Sequence, residues 1–565
     1  MNRNSNSRFS SNPINLNISR SMFNRNHSVK FSMNIGDIVP FLCDEVLPGD
    51  TVTLDTSKVV RLQTLVAPIM DDVFLDTYYF FVPHRLIWEH WIDFMGENRQ
   101  SAWVSPIEYS VPMVSIPEGG YDVGTIADYM GVPVKQGAGV KISALPFRSY
   151  ALICDQWFRS ENLMNPINIP MDDTDIVGSN GDNQVTDIVK GGKPFVACKT
   201  FDLFTSCLPQ PQKGKDINIG FDTIAPVEAF SHYENPAFTV GNSIDLDRYS
   251  SMRFRTLVDN KVANFSSTSL SSTIGVGINK NSNNMITDNQ TGLSGSSNTW
   301  MLPYNLGVDL SNSMFSINQL RQAFAVQRYY EKLARGGSRY TEMIKSFFGV
   351  TSPDARLQRS EYLGGNRIYL NVNQVIQTSS TDANSPQGNT AAFSCTNDYH
   401  SDCTKSFTEH GYLIGLAVAR YDHSYQNGLS KMWKRQHLFD FYNPTFANVG
   451  EMPIYSRELY LDNEDDVSVF GYNEAWSEYR YSPNRIAGEL RSNYQTPLDM
   501  WHLADKYNSR VYLSDSWIRE DKTNLDRCLA VSSNVSAQII ADFWIKADWA
   551  RPMPLYSIPG LIDHN

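Results

Sequence analysis

Long hydrophobic runs are missing from this sequence. No uncharged apolar run approaches the ~20 residues that a helix needs to cross a bilayer, and the first residues lack the apolar stretch of a signal peptide. The seven cysteines are scattered from Cys43 to Cys528 and form no disulfide framework. We therefore expect a protein that does not insert into membranes and is made and kept in a reducing cytoplasm.

Recognisable catalytic and cofactor motifs are also missing. The chain contains no GxxxxGK[ST], HExxH or GxSxG sequence and no complete GxGxxG. Cys395, His400, Cys403 and His410 are residue types that bind zinc, but their spacing matches no common site. The acidic run at 462–466 lacks the glycine and the ligand spacing of a calcium loop. These absences predict no enzyme, no cofactor and no bound metal.

Charge is scarce, whereas aromatic side chains are abundant. Charged residues make up 19% of the chain, while 28 Tyr, 29 Phe and 11 Trp bring the aromatic share to 12%. A surface that is poor in charge and rich in rings suits extensive contact with other proteins. At 565 residues the chain can also bury a large core. The composition therefore favours a protein that assembles.

Acidic residues are absent from the first 36 positions. This Asn- and Ser-rich segment carries the cations Arg3, Arg8, Arg20, Arg25 and Lys30, and the remaining body has a formal net charge of -17. With few clustered apolar residues, the segment is expected to be disordered or extended in isolation. We predict that residues 1–36 form an interior arm whose cations contact DNA or the underside of neighbouring chains. A flexible terminus without a role is the alternative.

The regular patterns in the body are mostly those of β-strands. Residues 535–547 alternate apolar and polar side chains with the period of two that marks a half-buried strand, and 368–376 do the same. The runs 73–82 and 411–421 are apolar on both faces, as in strands covered on both sides. We predict strands near 27–82, 366–376, 409–421 and 535–549.

Helices are predicted within the long segments between these strands. Residues 84–95, 146–163 and 317–335 have helical patterns, and the third ends at Gly336–Gly337. The tract 264–298 consists mainly of Ser, Asn, Thr and Gly and has little to bury. We interpret it as an exposed excursion from the body.

One short segment combines cations with an aromatic ring. In KMWKRQH, Trp433 lies among Lys431, Lys434 and Arg435. This mixture stacks on bases while it neutralises phosphates. Because Trp together with Arg also marks protein interfaces, contact with DNA and contact with another subunit both remain open.

Several long strings resemble the major capsid protein of the gokushoviruses, within the Microviridae. The strings are FLDTYYFFVPHRLIWEHWIDFMGEN at 74–98, LPFRSYALICDQWFRSENL at 145–163, RQAFAVQRYYEKLARGGSRYTEMIKSFFGV at 321–350, GLSKMWKRQHLFDFYNPTFANVGEMPIY at 428–455 and FGYNEAWSEYRYSPNRIAGELR at 470–491. Their length makes the resemblance far more specific than any short motif.

The resemblance implies an eight-stranded antiparallel viral jelly roll with long, helix-containing insertions between its strands. Residues 37–565 would form this capsid body, interrupted by an exterior insertion at 200–310 that makes a threefold protrusion. The chain would assemble through pentamers into a T=1 icosahedral shell around the circular single-stranded DNA of a bacteriophage. It would be located in the virion, after assembly in the bacterial host cytoplasm.

The resemblance also implies a set of partners. These are other copies of the chain, packaged single-stranded DNA, an internal scaffolding protein, a DNA pilot protein, a small basic DNA-binding protein and a host surface receptor. In the absence of a spike protein, the insertion itself would contact the receptor. The receptor-facing residues that we predict on it are Ser272, Asn281, Asn284, Asn289 and Ser296.

Two other classes of protein fit the residues themselves. One is a β-sandwich that binds or hydrolyses carbohydrate, since Trp and Tyr occur with many carboxylates. Two carboxyl groups ~5 to 10 Å apart in an aromatic cleft would favour a glycosidase. The other is a phage receptor-binding protein, which also uses β structure and exposed polar loops.

Overall fold

The computed structural model describes residues 20–97, 107–214, 317–379, 381, 386–388, 390–462 and 467–556, together with the backbone of short strands between 227 and 308. The chain forms two compact units. One comprises Met1–Lys213 with Glu331–Asn565, and the other is Gly214–Tyr330. Residues 200–213 of the predicted insertion therefore belong to the first unit, where Leu203, Phe204 and Cys207 are buried.

The strands are numbered in chain order. The strands that precede the second unit are β1 (Ser21–Asn24), β2 (His27–Met33), β3 (Val39–Val46), β4 (Thr51–Leu62), β5 (Val73–Pro83), β6 (Met113–Ser115), β7 (Lys141–Ser143) and β8 (Ile176–Val177). The strands within the second unit are β9 (Val227–Ala229), β10 (Arg253–Thr256), β11 (Val262–Asn264), β12 (Gly277–Ile278), β13 (Ile286–Thr287), β14 (Met301–Pro303) and β15 (Leu306–Val308). The strands that follow it are β16 (Glu361–Tyr369), β17 (Val372–Ile376), β18 (Thr390–Ser394), β19 (Thr396–Ser406), β20 (Gly411–Tyr421), β21 (Ser424–Tyr425), β22 (Glu451–Tyr455), β23 (Val469–Glu474), β24 (Asn484–Arg485) and β25 (Ile539–Arg551).

The helices are mostly short. The α-helices are α1 (Trp91–Phe94), α2 (Ile126–Tyr129), α3 (Leu145–Ile153), α4 (Ile317–Gly336), α5 (Tyr340–Met343), α6 (Asp515–Ile518) and α7 (Thr523–Asp526). The 3-10 helices span His84–Leu86, Ile188–Lys190, Lys431–Lys434, Leu438–Asp440, Pro444–Phe446, Ser456–Glu458, Ser477–Tyr479, Gly488–Leu490 and Asp499–Trp501, and π-helical turns span Cys154–Phe158 and Ile344–Phe348.

Two antiparallel sheets confirm the predicted jelly roll. In the first sheet, β25 lies between β4 and an edge formed by β1 and β2, and β19 pairs with the other side of β4. The second sheet has the order β16, β5, β20, β3. If β1 and β2 count as one kinked strand, the two sheets together contain eight strands. Counted along the chain, the first sheet has the order first, eighth, third, sixth. The second sheet has the order fifth, fourth, seventh, second. This interleaving of early and late strands is the double Greek key of a viral jelly roll.

The first sheet begins inside the segment that the sequence predicts as an arm. Strand β2 pairs with Ile539–Ile545 and β1 pairs with Asp548–Arg551, so the two strands follow the same edge of β25. At the kink between them, the Arg25 amide donates to Ala547 O, and Asn26 Oδ1 accepts from the Ala547 amide. The jelly roll therefore starts at Ser21, ahead of the predicted boundary at residue 36.

The core between the sheets follows from strand periodicity. Along β25, the side chains from Ile539 to Ala547 alternate between buried and more exposed positions, as predicted for a half-buried strand. The Phe543 ring packs with its centroid 4.9 Å from that of Phe41 and 5.0 Å from that of Phe31. Strand β25 also pairs with β4 over twelve residues. The strands predicted within 27–82 and 535–549 therefore share one core.

Strands β5 and β20 are buried on both faces, as their sequences predict. One face of each contributes to the core between the sheets, through residues such as Tyr79 and Leu413. The opposite face, with Phe80 and Ile414, packs under α3 and the neighbouring segments between the strands, where Tyr150 is fully buried. The segments between the jelly-roll strands therefore add a second hydrophobic layer to the body.

The predicted helices are realised to different degrees. Helix α4 matches the prediction for 317–335, and Gly337 ends it with a left-handed φ of +85°. Helix α3 and the π turn after it end at Phe158, short of the predicted residue 163. The prediction of a helix over 84–95 is wrong, because the segment divides into a 3-10 turn and α1. There Trp88 is fully buried and donates from Nε1 to Asp173 at 2.5 Å, so tertiary packing overrides the helical pattern.

Candidate assembly and nucleic-acid contact surfaces

The arm cations that the structure describes have partners within the body. Arg25 Nη2 lies 2.8 Å from Asp44 Oδ1, and its guanidinium lies 5.2 Å from the ring centroid of the buried Trp549. Arg20 donates to Thr51 Oγ1 at 2.9 Å and to the Gly49 carbonyl. These contacts attach the two ends of β1 to β3, to β4 and the turn between them, and to Trp549 of β25.

The remaining arm cations differ in their surroundings. Lys30 projects from β2 with 69% of its side chain exposed, and its ammonium lies 3.3 Å from Asp542. A pair this exposed stabilises the fold little, so Lys30 stays available to another anion. Arg3 and Arg8 lie outside the described residues. Within the described part of the arm, Lys30 is therefore the best placed cation for contact with phosphate.

The segment around Trp433 is held by an acidic residue from the 3-10 helix Ser477–Tyr479. Glu478 lies 3.0 Å from Arg435 Nη2 and 4.0 Å from Lys431 Nζ, and Lys431 also donates to Pro453 O at 3.1 Å. The Arg435 guanidinium lies 4.5 Å from the Tyr479 ring centroid. Two of the predicted DNA-binding cations, Lys431 and Arg435, therefore share one carboxylate, while Trp433 remains 70% exposed.

Trp433 is one of a set of exposed apolar side chains within 432–449 and 479–481, which we name the aromatic patch. Two of its rings, Tyr442 and Tyr479, lie with centroids 6.1 Å apart. Its large apolar members, each between 47% and 81% exposed, are Met432, Trp433, Leu438, Phe439, Phe441, Tyr442, Val449, Tyr479 and Tyr481. Sequence analysis identified Trp433 and missed the others. The density of rings in HLFDFYNPTF at 437–446 was the available signal.

Polar side chains shape the patch although its rings face solvent. Asp440 accepts hydrogen bonds from the backbone amides of Gln436 and His437, each at 2.8 Å, and Asn443 caps the following turn. Trp476 is buried beneath the patch and donates from Nε1 to Phe446 O at 3.0 Å. The apolar side chains are therefore presented by backbone with many local hydrogen bonds.

A buried charged cluster lies elsewhere in the body. His423 has Nδ1 at 2.9 Å from Asp505 and Nε2 at 3.0 Å from Glu520, and Lys199 Nζ lies 2.9 Å from the other Asp505 oxygen. Burial opposes the charged imidazole, but the two carboxylates raise the pKa of His423 to about 9. Burial likewise opposes the Asp505 carboxylate, but Lys199 and His423 lower its pKa strongly.

This cluster does not have the form of a glycosidase site. Asp505 and Glu520 flank one imidazole, and their side chains are at most 3% exposed, so substrate cannot reach them. Within the described residues, no three His, Cys, Asp or Glu side chains are grouped to hold a metal ion. No helix in the same part of the chain is long and apolar enough to span a bilayer.

The predicted receptor-facing residues cannot be located in the same way. Ser272, Asn281, Asn284, Asn289 and Ser296 lie outside the described residues. Between them the structure describes a short antiparallel pair, in which Gly277 and Ile278 of β12 face Thr287 and Ile286 of β13. The receptor contact therefore remains a prediction.

Comparison with known proteins places the whole chain in one family. The family model described as "Capsid protein (F protein)" matches residues 12–561. The chain is 41% identical over 553 residues to capsid protein VP1 of Spiroplasma virus 4, which covers 96% of each chain. It is 38% identical over 550 residues to capsid protein VP1 of Bdellovibrio phage phiMH2K, covering 96% of this chain and 95% of the relative.

A third relative shows similar agreement. The chain is 38% identical over 586 aligned residues to capsid protein VP1 of Chlamydia phage 1, with 96% of each chain covered. The match therefore extends through the jelly roll and its insertions. The chain belongs to the phage capsid protein (F protein) family, in agreement with its gokushovirus resemblance, and is a structural protein of the virion rather than an enzyme.

Proposed function

We propose that copies of this chain meet through the aromatic patch and build a closed T=1 icosahedral shell around circular single-stranded DNA. Membership of a capsid family implies self-assembly. The observation that supports this surface is the group of large apolar side chains exposed between 432 and 481. Monomeric soluble proteins rarely expose contiguous apolar areas of this kind, whereas assembling proteins bury them between subunits.

The chemistry of the patch favours a protein partner over DNA. Tyr, Trp, Phe, Met and Arg are enriched in the buried centres of protein interfaces. Lys431 and Arg435 both lie beside Glu478, so each cation would keep an acidic neighbour if the patch were buried. A phosphate would instead compete with Glu478 for the same cations. The proposal therefore assigns Lys431, Trp433, Lys434 and Arg435 to contact between subunits.

The decisive experiment replaces two exposed patch residues in the full chain. We expect Leu438→Ser combined with Phe439→Ser to abolish closed particles, because both side chains would lose their apolar contact with the neighbouring copy. The unassembled variant should unfold within a few degrees of the wild type, since these side chains are 81% and 69% exposed. Electron microscopy and thermal unfolding provide the two measurements.

A matched control separates the patch from apolar surface in general. Ile107→Ser combined with Val177→Ser removes side chains that are 63% and 67% exposed elsewhere on the body. This control should form particles at the wild-type protein concentration. Particles of normal yield from the patch variant would contradict the proposal.

The proposal includes the interior arm, whose cations have two different roles. Arg20 and Arg25 secure β1, so we assign contact with DNA mainly to Arg3, Arg8 and Lys30. Five cations per chain on an acidic body neutralise few phosphates. A small basic DNA-binding protein is therefore an expected partner, beside an internal scaffolding protein and a DNA pilot protein.

The insertion is proposed to face outwards and to contact the host receptor. Its tract 264–298 is poor in residues that can form a core. A shell without separate spikes must present its receptor contacts on the capsid chain. Assembly in the host cytoplasm is proposed together with this role.

A further inference from the structure

The solvent face of the first jelly-roll sheet carries two exposed aromatic rings, one of which, Tyr399, also forms a side-chain hydrogen bond with Asp55. Trp544 projects from β25 and is 50% exposed, and Tyr399 projects from β19 and is 66% exposed. Both residues occupy outward positions of strands whose alternate side chains are directed to the core. They lie on a different surface from the aromatic patch.

Strand register places the two rings on one row across the sheet. Trp544 is paired with Ser57 of β4, and Ser57 is paired with Tyr399. On the other side, Trp544 is paired with Ser28 of β2. Because neighbouring strands lie about 4.8 Å apart, the two aromatic residues stand roughly 10 Å apart with a small serine between them. The row thus places two exposed rings on either side of a small polar residue.

Cations flank this row on the same face. Lys546 follows Trp544 by two residues and is paired with Asp55, to which its ammonium donates at 3.0 Å. Lys30 lies beside Asp542, two residues before Trp544. Lys546 and Lys30 have side chains that are 45% and 69% exposed. The exposed pair of Lys30 with Asp542 stabilises the fold little, so Lys30 can exchange this partner for phosphate. Lys546 lies between Asp55 and Asp548, which is 3.7 Å away, and a phosphate would share its ammonium with these carboxylates.

The basic arm enters the body at the edge of this sheet. Strands β1 and β2 form that edge, and the 19 residues ahead of Arg20 carry Arg3 and Arg8 with no acidic residue. Stacking rings, a polar floor and nearby cations are the features with which proteins bind single-stranded nucleic acid without sequence preference. The absence of acids from the adjoining segment adds charge complementarity to a polyanion.

We infer that this face binds single-stranded DNA, whose bases stack on Trp544 and Tyr399 while its phosphates contact Lys30 and Lys546. The inference rests on the proposed function, because packaging would bring such DNA to the chain. A protein partner fits less well, because the two rings are separated by serines and charged pairs rather than joined in one apolar area.

The test measures binding of the purified, unassembled full chain to a fluorescently labelled oligothymidylate of about 20 nucleotides. Trp544→Leu and Tyr399→Leu keep apolar bulk but remove the ring, and each should weaken binding roughly tenfold, whereas Trp544→Phe should retain most of it. Lys30→Gln should lower the slope of log K against log salt concentration by about 0.7, and Trp544→Leu should leave that slope unchanged.

Two controls decide the outcome. Trp433→Leu removes an exposed ring of the aromatic patch and should leave DNA binding unchanged. The inference would be overturned if Trp433→Leu and Trp544→Leu lost equal affinity for oligothymidylate, or if Trp544→Leu lost none. It would also be overturned if the wild-type chain bound no oligothymidylate at low salt. Particle formation is measured in the same preparations. Failure of the wild type to form shells would contradict the proposed function. Normal shells together with unchanged DNA binding in Trp544→Leu would contradict this inference alone.

Discussion

His423 is a cation buried between two carboxylates. Its imidazole contacts Asp505 and Glu520, and Lys199 balances the second negative charge from the opposite side of Asp505. These residues lie in segments that are far apart in sequence, so the cluster ties distant parts of the body together. No spacing in the sequence indicated it, because the contacts arise only when the jelly roll and its insertions have folded.

We expect His423→Gln to destabilise the fold by about 3–5 kcal/mol, since a neutral amide leaves two buried carboxylates with one cation. His437→Gln, at an exposed position next to the aromatic patch, is the matched control and should change stability by less than about 0.5 kcal/mol. Denaturant unfolding of both unassembled variants provides the measurement. Equal stabilities would show that the cluster does not hold the body together.

The same residue predicts a pH dependence. Because the pKa of His423 rises from an ordinary 6.5 to about 9 on folding, its stabilising effect is fully present below pH 6.5 and is lost as the pH rises through 9. The stability advantage of the wild type over His423→Gln should shrink by roughly 2–3 kcal/mol between about pH 7 and about pH 10. An advantage that stays constant over this interval would contradict the charged state of His423.

At the scale of elements, β25 connects a late segment of the sequence with early strands. It pairs with β2 and β4, and its inward residues complete the core between the sheets. Phe543→Ala should therefore destabilise the body by about 3–5 kcal/mol, because it leaves a cavity against Phe41 and Phe31. Ile540→Ala, on the outward face of the same strand, should cost less than about 1 kcal/mol. Thermal unfolding that fails to separate the two variants would contradict the assignment of faces.

Elements with strong local patterns could be predicted from the sequence. The alternation in β25, the doubly buried β5 and β20, and α4 with its glycine end all formed as expected. The start of β25 at Ile539 rather than residue 535, and the division of 84–95 around Trp88, depend on tertiary packing instead. Most of the patch was missed for a related reason: the density of rings at 437–446 was visible in the sequence, but which of these rings are exposed depends on the folded body.

At the scale of the whole molecule, the exposed surfaces have complementary uses. We propose that the aromatic patch contacts another copy and that the ring-bearing sheet face stacks against single-stranded DNA. In the same proposal, Arg20 and Arg25 hold β1 while Arg3, Arg8 and Lys30 contact phosphate. Together they describe a chain whose surface is completed by its assembly, in accord with its scarcity of charge.

The most direct test of this account is electron cryomicroscopy of particles formed by the purified full chain. We predict closed isometric T=1 shells in which the aromatic patch, including Leu438 and Phe439, is buried between neighbouring copies. Monomers or elongated trimers would contradict the proposed shell. Closed shells with the patch exposed to solvent would contradict the surface through which we propose that it assembles.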